Sequence, residues 1–285
     1  MSDTIAIASP ADFHVHLRQG DLAALVTKHV RQGGFRLAYV MPNLKPPIAN
    51  AEEALLYKAQ LQAIDPTIEY LMTLYLSPDL TPDEIRKAKR AGIGSNRTLV
   101  VLPQILTVAS SLTRRTIRFE CVKSLGDTVA CTITAHHLVL TVDDWAGQSW
   151  NFCKPVAKFP DDRQALRDVI KEGHPRFFLG SDSAPHPPHT KSTATPVHAC
   201  AAGVYTSPIL LPLVAQVLES FGALDRLEGF VSTNGRVFYR ASASAGENVV
   251  IRKVQGKRVE EKWVEGEQSV VPFWAGRDLS WEVVE

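Results

Sequence analysis

The chain has 285 residues, of which 45% are hydrophobic and 21% charged, and its formal net charge is +1. That composition fits an ordinary folded protein of one large domain or two small ones. It excludes electrostatic attraction to nucleic acid or to an anionic membrane surface, and no apolar run approaches the roughly 18 residues a spanning helix needs. Met1–Pro10 lacks the basic segment and apolar stretch of a secretory signal. Cys121, Cys131, Cys153 and Cys200 contain no CxxC pair, so they read as reduced, core-filling thiols of a cytoplasmic protein.

In chain order, Thr4–Ala8 is a short apolar strand, followed by Asp12–Arg18, where polar and apolar residues alternate. Leu22–Gln32 reads as a helix and Phe35–Met41 as a buried strand. Asn50–Ala63, rich in Ala, Leu, Glu and Lys, is helical, and Ile68–Leu76 is a further strand. Thr81 is the N-cap of the next helix, with Pro82 in its first turn and Glu84 three residues after the cap. That helix runs to Arg90 and stops at Gly92. Beyond it come a strand at Thr128–Thr134, a helix at Asp161–Glu172, a strand at Arg176–Ser181 and helices at Ile209–Phe221 and Leu227–Tyr239. Short strands fill the chain from about residue 246. Strands alternating with helices predict βαβ units and a parallel sheet.

Two strand ends carry metal-ligand chemistry. His14-Val15-His16 places two imidazoles two residues apart, and in a strand such residues face the same side. The pair suits one zinc ion, although a chance alternation on an exposed face gives the same pattern. Gly180–His186 (GSDSAPH) then puts Asp182 and His186 where an apolar strand ends. Catalytic groups of (β/α)8 barrels occupy such ends, although Asp182 alone could simply cap the next helix.

The order of four segments narrows the reading: HVHLR at His14–Arg18, VMPNLKPP at Val40–Pro47, TITAHHL at Thr132–Leu138 and GSDSAPH. Together with STNGRVFY (Ser232–Tyr239) and VPFWAG (Val271–Gly276), they resemble the dihydroorotase family of the amidohydrolase superfamily, in its free-standing bacterial and fungal type. The resemblance implies an α/β fold, a TIM-type (β/α)8 metal-dependent hydrolase barrel forming one domain over residues 1–285. It implies reversible cyclisation of N-carbamoyl-L-aspartate to (S)-dihydroorotate in pyrimidine synthesis, with two zinc ions polarising the amide carbonyl and supplying the nucleophile. His14 and His16 match ligands of the first zinc, and Asp182 matches both a ligand and the general base. Arg18 matches the residue that grips the substrate carboxylate, which a planar guanidinium can bond bidentately. Asn43 and His186 match its companions, while Lys154 and Ala202 match positions touching substrate through the backbone. The implied partner is a small-molecule substrate, with a homodimer as the family's frequent assembly. His136 and His137 read as packing residues, His29 as a helix residue, and His174, His189 and His198 as loop residues.

The sequence also departs from the family. A carboxylated lysine ending the fourth strand and one histidine from each of the fifth and sixth strands belong to the pattern, yet no histidine lies between His29 and His136. Lys87, Lys89 and Lys123 fall in predicted helices and end no strand. About 50 residues separate Leu76 from Thr128, whereas three βα units need about 90. Thr98–Val108 supplies at most one strand, and Ser110–Arg118 matches no family element. The barrel is therefore expected to lack most of strands four to six, to bind at most one zinc, and to show little or no ring closure. The alternative function is that of an inactive truncated relative, or of an incomplete gene model retaining part of the pocket. If coding sequence was skipped, the transcript should encode roughly 60–70 further residues after Ile93. Sequencing the transcript checks this, and a confirmed 285-codon frame would exclude it.

Overall fold

A computed structural model of the chain describes residues 4–94, 100–101, 116–191, 200–242 and 248–284. The first elements are β1 (Thr4–Ala8), β2 (Ala11–Val15), α1 (Gly20–Gln32), β3 (Leu37–Val40), α2 (Ala51–Ile64), β4 (Glu69–Met72), β5 (Leu74–Tyr75), α3 (Pro82–Arg90) and β6 (Val100–Val101). Then follow α4 (Thr116–Ser124), β7 (Cys131–Ile133), α5 (Val142–Trp145), α6 (Pro160–Glu172), β8 (Phe177–Leu179), α7 (Pro188–Lys191), α8 (Leu210–Ser220) and α9 (Asn234–Tyr239). The last are β9 (Asn248–Arg258), β10 (Trp263–Glu265), β11 (Gln268–Val270) and β12 (Asp278–Val284).

Every residue of β2, β3 and β8 is buried, as expected of parallel strands covered on both faces. β3 pairs in parallel with β2 on one side and β4 on the other. β5 continues β4 and pairs with β6, and β7 pairs with β8. Past the end of β8 the chain returns to β2, where Val15 bridges Ser183, His16 N–H donates to Ser183 O at 3.1 Å and Asp182 N–H donates to His14 O at 2.8 Å. The strands leading to Thr134, Asp182, Arg18, Asn43 and Leu76 thus lie side by side in that order, as the sequence predicts. Among the described residues no pairing joins β6 to β7, so the arc does not close into a ring. Val100–Val101 is the described part of the Thr98–Val108 expectation. The Ser95–Arg97 join, residues 110–115 and His198 lie outside the described residues.

Local signals place the helices as read. Asn50 caps α2 by accepting Glu53 N–H at 2.9 Å, and Thr81 caps α3 by accepting Glu84 N–H at 3.2 Å. The Glu84 carboxylate does not return to its own cap; it accepts Ala51 N–H at 2.8 Å and so ties α3 to the start of α2. In place of one regular helix over Leu227–Tyr239, a π-helical turn at Gly229–Thr233 leads into α9. No helix among the described residues is long and apolar enough to cross a membrane.

The N-terminal strand differs in its position from the sequence reading. β1 does not join the arc but pairs antiparallel with β9, which pairs with β12 in an outer sheet. The histidine pair therefore sits at the end of the second strand, not the first. Ser9 causes the separation: its φ of 41° turns the chain between β1 and β2. Arg236 Nε donates to Ser9 O at 2.8 Å and its Nη2 to Ser9 Oγ at 2.9 Å, which fixes that turn from α9. Gly235 allows the approach, because a Cβ there would lie 2.1 Å from the Phe13 ring. β9, with 11 residues, is longer than the short strands expected at this end.

α1 carries a titrating residue in the interior. His29 is 5% exposed, and its Nδ1 lies 2.5 Å from the Tyr205 hydroxyl. Burial lowers its pKa from 6.5 to about 4. The unfolded chain takes up this proton as pH falls below 6.5, while the folded chain resists it until about 4. His29 thus contributes about 3 kcal/mol of stability above pH 6.5, and this is lost between pH 6.5 and 4. Denaturant unfolding at pH 7.5 and pH 5 should show a smaller loss for His29→Asn than for the parent, and equal losses would show that His29 is not held neutral.

Candidate active site

The meeting of β2 and β8 assembles the site. Asp12, buried within β2, accepts Ser181 N–H at 2.8 Å, Ser181 Oγ–H at 2.5 Å and His14 N–H at 3.1 Å. Burial raises its carboxyl to about 6, although these three donors oppose the rise. Gly180 lets the strands touch, because a Cβ would lie 2.7 Å from Thr132 Cβ and 2.9 Å from His14 Cβ. Two residues on, Asp182 has a φ of 46°, a conformation uncommon outside glycine. That twist and the Asp182 N–H bond to His14 O turn the carboxylate back toward the histidine pair.

Asp182 Oδ1 lies 3.3 Å from His14 Nε2 and 2.9 Å from His16 Nε2. One ligand atom from each residue lies within 4.8 Å of the others, so the three side chains could hold a metal ion. Burial would raise the Asp182 carboxyl, but the two imidazoles outweigh it and hold it well below the usual carboxylate range. His16 is lowered by burial, with Asp182 opposing the change. A cavity of about 90 Å³ opens beside the cluster, lined by His14, Asp182, Thr132, Thr134, His137 and Pro155 among others.

A second set gathers around Arg18, whose φ of 61° turns the chain out of the strand end. Its Nε donates to Pro185 O at 2.8 Å, its Nη2 lies 3.1 Å from His186 Nε2, and Tyr57 Oη–H holds its carbonyl. His186 Nε2 also lies 3.0 Å from Ala202 O. Burial lowers Arg18 to about 10, leaving it charged at neutral pH, while burial first and Arg18 second lower His186 to about 4. A cation beside a neutral imidazole is a receptor for an anionic group.

The structure thus joins His14, His16 and Asp182 in one cluster and Arg18, His186 and Ala202 in another. Asn43 is half-buried in the loop after β3, with no hydrogen bond to Arg18 or His186 among the described residues. Lys154 is exposed and does not line the cavity.

Sequence reading missed two features. Lys191 is 2% exposed, and its Nζ donates to Phe152 O at 3.2 Å, Ala201 O at 3.1 Å and Gly203 O at 2.7 Å. It ties the segment before Lys154 to the segment around Ala202, and only tertiary structure reveals those acceptors. His136, His137 and Cys153, read as packing residues, form a second group with metal-ligating atoms within 4.8 Å of one another. The adjacent histidines after a barrel strand were a visible signal, but the cysteine 16 residues beyond His137 was not.

No family model matches the chain. A dihydroorotase from Mycosarcoma maydis is 42% identical to it, with 98% of each chain covered. The chain belongs to the dihydroorotase family. Members are metal-dependent hydrolases of cyclic amides. The crystal structure of Saccharomyces cerevisiae dihydroorotase in complex with 5-fluoroorotic acid superposes with a TM-score of 0.84 at 32% identity, covering 99% of this chain and 98% of that one. An L-hydantoinase from Arthrobacter aurescens, 15% identical, shares the amidohydrolase fold with a TM-score of 0.75 over 98% of this chain and 83% of its own. The Mycosarcoma maydis alignment extends over 389 positions, so roughly a hundred have no counterpart among the 285 residues of this family member.

The close contact at Gly180 gives a test of this assembly. Gly180→Ala should cost about 1–3 kcal/mol by overpacking, and it should weaken metal binding because the displaced neighbour is His14. Denaturant unfolding and metal titration check both, and unchanged metal affinity would show that the seam does not position the cluster.

Proposed function

We propose that this chain interconverts N-carbamoyl-L-aspartate and (S)-dihydroorotate, with its site at the ends of β2 and β8. The observation that carries the reading is the juxtaposition on those strand ends of a His14–His16–Asp182 cluster and an Arg18–His186 anion receptor. The ligand named for the yeast structure, 5-fluoroorotic acid, is a pyrimidine carboxylate and suits that pairing.

Two imidazoles and a carboxylate are a donor set that zinc accepts, with a fourth position open for a small molecule. His14, His16 and Asp182 would hold the ion. When bound it would supply Lewis acidity toward the amide carbonyl and a lowered pKa for water. Arg18 binds the substrate carboxylate through its planar fork, and His186, neutral at working pH, adds a hydrogen bond. Asn43 completes this set, with Lys154 and Ala202 offering backbone contacts. Asp182 accepts a proton from the attacking water and returns it to the ring nitrogen as the C–N bond breaks. The reverse transfer accompanies ring closure. A cytoplasmic location and a homodimer belong to the same reading.

A second reading is an inactive relative, which the dihydroorotases similar to this chain do not favour but one sequence feature keeps testable. The bridging lysine and the two middle-strand histidines that the family resemblance implies find no match in this sequence. With one zinc instead of two, a barrier reduction of about 4 kcal/mol is absent, which is roughly a thousandfold in rate. Purified, zinc-loaded chain should therefore form dihydroorotate slowly, and Asp182→Asn should abolish the remainder. Arg18→Lys should raise KM at least tenfold through loss of the bidentate fork. Turnover no greater than that of Asp182→Asn would establish the inactive reading.

A further inference from the structure

We propose that His136, His137 and Cys153 form a second metal site, separate from the His14–His16–Asp182 cluster, that takes a single zinc-like divalent cation. Each of the three offers a ligand atom, and these atoms lie within 4.8 Å of one another. Cys153 Sγ is 3.8 Å from His137 Nε2. Tetrahedral zinc with bonds of about 2.0 Å to nitrogen and 2.3 Å to sulfur separates neighbouring donors by roughly 3.3–3.6 Å. No pair needs to close by more than roughly 1.5 Å.

His136 gives the independent observation. It is 0% exposed, and neither ring nitrogen has a hydrogen-bond partner among the described residues. Buried polar groups are normally satisfied, and an unsatisfied one is costly. A purely packing role is served better by an apolar side chain, whereas a cation satisfies one imidazole nitrogen directly.

His137 is already oriented for the same role. Its Nδ1 lies 2.6 Å from Thr134 Oγ1, and that oxygen also accepts His137 N–H at 3.1 Å. As it stands, Nε2–H donates to Pro155 O at 2.8 Å and Nδ1 accepts from Thr134 Oγ1. A cation on Nε2 would displace that proton, and Nδ1–H would then donate to Thr134 Oγ1, as in zinc sites where the second imidazole nitrogen is held by an oxygen. Pro155 O accepts from His137 Nε2–H at 2.8 Å and from Cys153 S–H at 3.3 Å, so both prospective ligand atoms already converge on one oxygen. Burial pushes the Cys153 thiol up to about 12, so the free thiol is protonated. Binding replaces the S–H bond with a metal–sulfur bond and releases the proton to solvent. The ion would clamp the end of β7 to the loop that carries Lys154.

Cobalt(II) is the probe, because thiolate ligation gives an intense near-ultraviolet charge-transfer band that an N/O donor set lacks. The full chain, titrated with cobalt, should develop this band. Cys153→Ser should lose it and bind one equivalent less metal. His136→Phe, which keeps the apolar packing, should weaken the band's apparent affinity at least tenfold. His14→Ala should retain the band, which separates this site from the proposed catalytic cluster. Circular dichroism of each variant confirms that it is folded. No band in the parent, a band that survives Cys153→Ser, or its loss in folded His14→Ala would overturn the proposal.

Discussion

Everything at the site depends on the join between β2 and the residues following β8. Asp12 is a carboxylate placed inside the sheet, where an ion without partners would be costly. Its three donors come from Ser181 and His14, so satisfying the charge stitches the two strands together. Ser181 Oγ also donates to His14 O at 3.0 Å and accepts Ser183 N–H at 2.9 Å. The same serine thereby sets the backbone on both sides of Asp182. A polar network this deep tolerates little slippage, because a shifted register leaves a buried group unpaired.

Once that seam is fixed, chemistry follows from where each strand ends. His14 and His16 leave β2 on the side toward which the left-handed Asp182 turns its carboxylate. One turn further along each segment, Arg18 and His186 meet in the same way. Charge separates the two halves: Asp182 is an anion between imidazoles, and Arg18 is a half-buried cation beside a neutral imidazole. Lys191 anchors the surrounding loops through three carbonyl oxygens, so a buried lysine shapes the rim.

The family's motifs survive where the described arc is continuous, from β7 through β8, β2 and β3 to β5. The cavity beside His14 and Asp182 lies against β7, and His137 and Pro155 line it together with them. His136 and Cys153 pack next to that wall. The second cluster of donors therefore borders the first without sharing a residue with it.

Sequence alone determined the alternation of strands and helices, the cap at Thr81, and which strand ends carry imidazole, carboxylate and guanidinium. These features were legible because they rest on neighbours two to four residues apart, where hydrophobic period and capping chemistry act. It did not determine that β1 leaves the barrel for the outer sheet, since an apolar strand pairs equally well with either neighbour until Arg236 pins the turn at Ser9. Nor did it mark Asp12, Lys191 or Cys153, which looked like ordinary core or surface positions, or show that the adjacent His136 and His137 meet that cysteine. Their decisive partners are distant in sequence: Ser181 lies 169 residues from Asp12, Phe152 lies 39 from Lys191 and Cys153 lies 16 from His137. Only the packing of β2, β7 and β8 brings those polar groups out of water together, and burial is what obliges each one to find a partner.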